Sequence, residues 1–368
     1  MLQHNAEYPM RSSFFLGTVS ALGLAGAAGA DVPSVATDIP PVHSLVSIVM
    51  GDLGSPDLLV QPGASPHGYS LRPSEARALD QADAVFWIGE ALVPWMAGSI
   101  EALASDARVV ELIETDGTTE LAFREGVTFE AHDHDHEEHA EHDDHNHDDH
   151  DHEEHAEHDD HDHDDHDHDD HAEHDDHDHE DHDHEDHAEH EDHDHDHHGN
   201  DPHAWLDPEN GKVWLDVIAA ELSALDPENA GTYAANAEAG KAELEALIGE
   251  ITATLAPLRS ENFVVFHDAY QYFETRFDIP AAGSITLADA SDPSPARIEE
   301  IQGKVAELGV TCAFSEPQYD ANLIATVFRG TDARTGVMDP LGTELTPGPD
   351  LYPQVLRNLA TSLSDCLE

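Results

Sequence analysis

Between His132 and His198 the chain runs for 67 residues on 27 His, 35 Asp+Glu, four Ala and one Asn, with no Lys, Arg, Pro, Gly or large apolar side chain. Such a segment cannot bury enough surface to offset the entropy of ordering it, so it is expected to be disordered and to interrupt whatever fold surrounds it. It is also a tandem array. EEHAEHDDHNHDDHDH (137–152) is followed by three more copies of a sixteen-residue unit, the last being EDHAEHEDHDHDHHGN. Repeats of this kind often mark stacked architectures, but these units have no apolar face to stack. Their HxH and HxxH spacings instead place pairs of imidazoles among carboxylates, which makes a flexible metal-binding tract.

Charge narrows the partners. The chain carries 80 Asp+Glu against 14 Lys+Arg, and subtracting the 35 acids of the tract leaves 45 against 14, a charge of −31 on the remainder. Both nucleic acid and an anionic membrane surface are excluded as partners on that balance.

The start of the chain reads as an export signal. After Met10 and Arg11 comes FFLGTVSALGLAGAAGA, with Ala28 and Ala30 spaced as in a small-residue cleavage site. The apolar run is too short to span a bilayer, so residues 1–30 are expected to be a cleaved secretory signal peptide, with Met10 as an alternative start to Met1. The mature chain is then expected outside the cytoplasm, with no membrane insertion. Its two cysteines are Cys312, in the strand-like GVTCAF, and Cys366, near the end of a C-terminal helix. In an oxidising compartment one disulfide between them is favoured over two buried thiols.

Outside the tract, short apolar runs alternate with amphipathic ones. SVATDI, DLLVQ, DAVFWIG and RVVELI read as strands; HSLVSIVMGDL, PSEARALDQA and VPWMAGSIEALA read as the helices between them. The alternation predicts parallel β-α units, an α/β lobe spanning 31–226 with 131–199 as its disordered loop. DPENGKVWLDVIAAELSALDP gives one helix, and PENAGTYAANAEAGKAELEALIGEITATLAPL a second of about thirty residues, roughly 45 Å long. That second helix (227–258) is expected to link the first lobe to another at 259–368. The second lobe follows as strand FVVF, strand AAGSITL, helix SPARIEEIQGKVAELG, strand VTCAF, helix ANLIATVFRG, strand TGVMD and closing helix YPQVLRNLATSLSDCL.

Leaving out the tract and His4, four histidines remain: His43, His67, His203 and His267. His43 follows the first strand, His67 lies in the loop after the second, and His267 ends FVVF. Open α/β sheets bind ligands beyond the carboxyl ends of their strands, so these side chains are delivered to sheet edges. His203 lies just before a helix, and Asp339 ends the strand TGVMD. Three imidazoles from separate loops, with one carboxylate or water, suit the tetrahedral nitrogen-rich coordination of Zn²⁺. A lone loop histidine is more often a polar surface residue, and a strand-end aspartate often only bonds nearby amides.

PGASPHGYSLRPS around His67, DPHAWLDPEN around His203, FHDAYQYFETRF around His267 and MDPLG at Asp339 resemble, in order, the zinc-uptake solute-binding proteins of bacterial ABC transporters, the ZnuA type. The resemblance runs from about Pro33 to the C-terminus. It implies two α/β lobes joined by one long rigid helix with zinc held between them, and His67, His203 and His267 as ligands. A C-terminal disulfide and a histidine-rich loop at this insertion point are also implied. In the related manganese and iron binders the place of His267 is typically a glutamate, so a histidine favours zinc over those metals. Some members have a glutamate just before the first ligand, where this chain has Pro66; the fourth position therefore falls to water or to Asp339. His43 is not a ligand in that family and is expected to be at most a second-shell or transient one.

The function implied is a monomeric periplasmic zinc-binding protein that hands Zn²⁺ to a membrane permease and catalyses nothing, with the tract capturing or buffering the ion. Two other classes compete. A zinc hydrolase would use the three histidines plus a bound water, with Asp268 drafted as base. A zinc storage protein would depend on the tract alone.

Overall fold

The computed structural model describes residues 32–124, 199–286, 294–319 and 327–368. The expected signal peptide, the histidine-rich tract and most of the helix ANLIATVFRG lie outside the described residues.

The first lobe is built on four parallel strands, β1 (Val35–Thr37), β2 (Asp57–Leu58), β3 (Ala84–Trp87) and β4 (Arg108–Glu111), in the order β2-β1-β3-β4. β1 and β3 are buried throughout, as their unbroken apolar runs require of strands covered on both faces. The helices between them are α1 (Pro40–Met50), α2 (Pro73–Asp80) and α3 (Pro94–Leu103). Each starts on proline, whose missing N–H is one that the first turn could not have satisfied.

After the insert come α4 (Pro208–Leu225) and α5 (Ala230–Leu255). The Asp207 side chain caps α4 by accepting from Glu209 N at 2.9 Å. At 26 residues α5 is about 39 Å long, slightly shorter than expected because its last turn tightens into a 3-10 segment, Ala256–Leu258. It is a spine packed on α1 and α4. A Cβ on Gly240 would lie 2.8 Å from Ile48 Cγ2 and 2.9 Å from Leu215 Cδ1, so glycine there lets three helices meet.

The second lobe repeats the plan with β5 (Phe263–His267), α6 (Gln271–Phe277), β6 (Gly283–Thr286), α7 (Pro295–Leu308), β7 (Cys312–Ser315) and β8 (Arg334–Val337), in the parallel order β6-β5-β7-β8. α6 was not expected; its aromatic, strand-prone residues (QYFETRF) hide a seven-residue helix that buries Tyr272, Phe273 and Phe277. Along β5 the side chains alternate. Phe263 and Val265 join the large core that also holds the first lobe, while Val264 and Phe266 face a smaller one with Ile285, Ile301 and Val305.

The closing helix α8 (Leu351–Leu367) belongs to both lobes. Cys366 is disulfide-bonded to Cys312 of β7, as expected. At its other end Tyr352 N donates to Ser44 Oγ of α1 at 2.9 Å, and Tyr352 Oη donates to Trp205 O at 2.7 Å.

Candidate metal centre

Three separate pieces of backbone bring His67, His203 and His267 together. His67 stands in the loop after β2, where Trp95 of α3 fixes the preceding residue by donating Nε1 to Pro66 O at 2.8 Å. His203 stands just ahead of a 3-10 turn, Ala204–Leu206, whose Trp205 reaches the second lobe through Nε1 to Pro340 O at 2.9 Å. His267 is the last residue of β5. One nitrogen from each of the three rings lies within 4.8 Å of the others, the one such group of metal-binding side chains among the described residues. Ligand atoms on a tetrahedral zinc stand about 3.4 Å apart given bonds of ~2.0–2.1 Å, so only small side-chain movements separate this arrangement from coordination.

Two of the three rings are backed by buried carboxylates that the sequence reading did not single out. His203 Nδ1 faces Asp201 Oδ1 at 2.7 Å, and that same oxygen accepts from His203 N at 3.0 Å. His267 Nδ1 faces Glu316 Oε1 at 2.6 Å. Asp201, His203, His267 and Glu316 are each no more than 5 % exposed. A carboxylate on Nδ1 holds the proton there, orients the ring and leaves Nε2 as the donor nitrogen. His203 Nε2 is buried with no hydrogen-bond partner, which in an apolar setting is costly unless an ion takes the lone pair. Asp201 stands two residues before His203, a spacing visible in NDPH. Glu316 follows β7, the strand paired beside β5, and only the sheet order reveals it.

The structure does not bring Asp339 into the group of three. Its Oδ1 accepts from Leu341 N at 3.1 Å and Gly342 N at 3.0 Å, its Oδ2 from Thr343 N at 2.5 Å, and Gln318 Nε2 donates to Oδ1 at 3.1 Å. Nor is His43 in the group. It lies in the first turn of α1, which begins three residues earlier than expected, with Nε2 against Pro56 O at 3.1 Å and Nδ1 against Ser47 Oγ at 3.4 Å, and burial lowers its pKa. Asp268, beside His267, is paired with Arg124, whose Nη1 also donates to Glu274 at 2.7 Å. Burial pushes the Asp268 carboxyl up while Arg124 pulls it down.

The described segments that flank the histidine-rich insert in sequence are paired with each other. Asp201 N donates to Leu121 O at 2.7 Å and Phe123 N to Gly199 O at 3.3 Å, and Tyr272 Oη of α6 donates to Asp201 O at 2.8 Å. The carboxylate on His203 thus belongs to the residue where this stem closes.

A small pocket, with room for about one water, opens over the three imidazoles, lined from the first lobe by Ser65 and Pro66 and from the second by Gln318, Tyr319 and Leu341 among others.

Residues 35–366 match the family model described as zinc-uptake complex component A, periplasmic, ZnuA. The chain is 48 % identical to the high-affinity zinc uptake system protein ZnuA of Brucella abortus, covering 96 % of this chain and 98 % of that one. To the protein of the same name from Paracoccus denitrificans it is 45 % identical, over 95 % and 96 % of the two chains. Its fold is similar to a crystal structure of a zinc-bound ZnuA deletion mutant, with a TM-score of 0.65 at 21 % identity, covering 92 % of this chain and 99 % of that one. The chain therefore belongs to the ZnuA family of periplasmic zinc-uptake components.

Proposed function

We propose that this protein is the zinc-binding component of an ABC-type importer, taking up Zn²⁺ in the periplasm and presenting it to a membrane permease. The observation that carries the reading is the convergence of His67, His203 and His267 on one point, two of them backed by buried carboxylates. The curated relatives are named for high-affinity zinc uptake, and one structural neighbour holds zinc. Three neutral nitrogen donors suit zinc better than the oxygen-rich coordination preferred by manganese, which argues against the manganese or iron alternative. Asp339 is already engaged by three backbone amides, so water is the better candidate for the fourth position.

The role requires binding without chemistry. Asp268, the candidate base of a hydrolase, is committed to Arg124. The chain acts as a monomer. The tract at 132–198 captures or buffers zinc, and its stem closes at Asp201, beside His203. Because α5 is packed into the shared core rather than exposed as a hinge, zinc enters and leaves by loop rearrangement or slight tilting of the lobes.

The test is uptake of radiolabelled zinc by cells that lack their own copy of this protein. Complementation with the full chain is expected to restore uptake at submicromolar zinc, and a variant with His67, His203 and His267 all changed to Ala is expected not to. Uptake sustained by the triple variant would assign delivery to the tract and refute the reading.

A further inference from the structure

Four buried side-chain polar atoms among the described residues have no hydrogen-bond partner: Ser65 Oγ, Trp87 Nε1, His203 Nε2 and Gln318 Oε1. Three of the four belong to residues that line the pocket over the three imidazoles. Buried polar groups are almost always paired, and each exception calls for an occupant or a function. His203 Nε2 is explained by the ion; the other two are not.

Gln318 is fixed in one orientation. Its Nε2 donates to Asp339 Oδ1 at 3.1 Å and to Thr343 Oγ1 at 3.0 Å. Turning the amide over would set Oε1 against the Asp339 carboxylate, so Oε1 is held as the atom on the side away from Asp339. Asp339 is itself locked by the amides of Leu341, Gly342 and Thr343, which makes it an anchor for the glutamine. Ser65 comes from the opposite lobe, two residues before His67. The pocket therefore presents one neutral acceptor from each lobe beside three nitrogen donors.

A water on a zinc ion is polarised and donates both its protons strongly. We propose that Ser65 Oγ and Gln318 Oε1 are the paired acceptors of the water that completes the zinc coordination, with Asp339 positioning Gln318. This rests on the zinc-binding reading above. The acceptor pair separates the site from a hydrolytic one. A carboxylate beside the metal-bound water serves as its general base, whereas an amide oxygen and a hydroxyl accept hydrogen bonds without taking the proton. The water is held as water, and it spans the two lobes only while they are together around the ion.

The experiment uses the full chain and two variants, Ser65→Ala and Gln318→Leu, with three readouts: zinc affinity of the tight site by chelator competition, thermal unfolding of the metal-free protein, and the electron paramagnetic resonance line of protein given half an equivalent of cobalt(II) in ¹⁷O-enriched water. The expected results are about 10-fold weaker zinc binding in each variant, an unfolding temperature of the metal-free Ser65→Ala protein no lower than the parent's because only an unpaired buried atom has been removed, a lower one for Gln318→Leu, which also loses the two hydrogen bonds of Nε2, and ¹⁷O broadening of the cobalt line in the parent. A tight site unaltered by both substitutions, a metal-free Ser65→Ala protein destabilised in step with its lost affinity, or an unbroadened parent line would each overturn the proposal. If the parent shows no tight equivalent at all, the zinc-binding reading itself fails and the proposal with it; if the tight equivalent is present and insensitive, only the acceptor pair fails.

Discussion

The two lobes have the same strand order, and so each has a crevice where the direction of winding reverses, between β1 and β3 in the first and between β5 and β7 in the second. Both crevices are bridged by a buried carboxylate. In the first, Asp38 follows β1 and accepts from Ile39 N and Ile88 N, each at 2.7 Å, the latter just beyond β3. In the second, Glu316 follows β7 and faces Nδ1 of His267, the last residue of β5, at 2.6 Å. Topology supplies the same opening twice; the side chain at the strand end decides its use. An aspartate bonded to backbone amides closes the first crevice as a brace. A glutamate bonded to an imidazole equips the second as part of the candidate metal site.

That contrast breaks most sharply at His267. Zinc binding worth ~10–16 kcal/mol, shared among four donors, assigns about 2.5–4 kcal/mol to each, on the order of 100-fold in affinity. His267→Ala is expected to show that loss in chelator competition; because it also leaves the buried Glu316 carboxylate without its imidazole partner, the metal-free protein is expected to unfold at a lower urea concentration, and affinity is compared on folded protein. The mirror experiment is Asp38→Ala, which strands two buried amide donors at about 1–3 kcal/mol each. It is expected to destabilise the fold by about 2–6 kcal/mol in urea unfolding while zinc affinity of the folded protein stays unchanged.

Glu316→Gln sharpens the comparison by keeping an acceptor and removing the charge. Loss of such a partner to a ligand histidine typically costs ~10–100-fold in metal affinity, and the smaller end is expected here because the hydrogen bond survives.

A further effect is in pH. Burial pushes the Asp38 carboxyl up to about 7, against backbone amides that pull it down. The native state therefore keeps a proton that the unfolded chain has already released above its ordinary value of 3.8. Asp38 contributes stability that is fully present below that value and is lost as pH rises toward about 7. Asp38→Asn is expected to flatten the dependence of urea midpoint on pH across this window in metal-free protein; an unchanged slope would place the titration elsewhere.

Much of this was legible in the chain, for identifiable reasons. The parallel strands were visible because fully covered strands are unbroken apolar runs, as in DAVFWIG, and the helix starts because proline and acidic residues mark them. His67, His203 and His267 stood out through their local motifs. What stayed hidden depends on which strands become neighbours. Glu316 is 49 residues from His267 and meets it only because β7 pairs with β5. Gln318 Oε1 gains its meaning from Asp339 behind it, and Asp339, read as a possible ligand from its strand-end place, is instead surrounded by the amides of its own turn. His43 illustrates the converse. Its position after a strand suggested the site, but α1 begins at Pro40 and carries the ring to Pro56 O. α6 escaped because seven residues are too few for an amphipathic period to declare itself.

The central claim is that the three imidazoles between the lobes, and not the histidine-rich tract, define the tight zinc site. Calorimetric titration of the metal-free full chain with Zn²⁺, beside the variant with His67, His203 and His267 all changed to Ala, tests it directly. The account predicts that the variant loses one tight equivalent and keeps a weaker multisite phase. An isotherm unchanged by the three substitutions would contradict it and leave the tract as the whole of the metal chemistry.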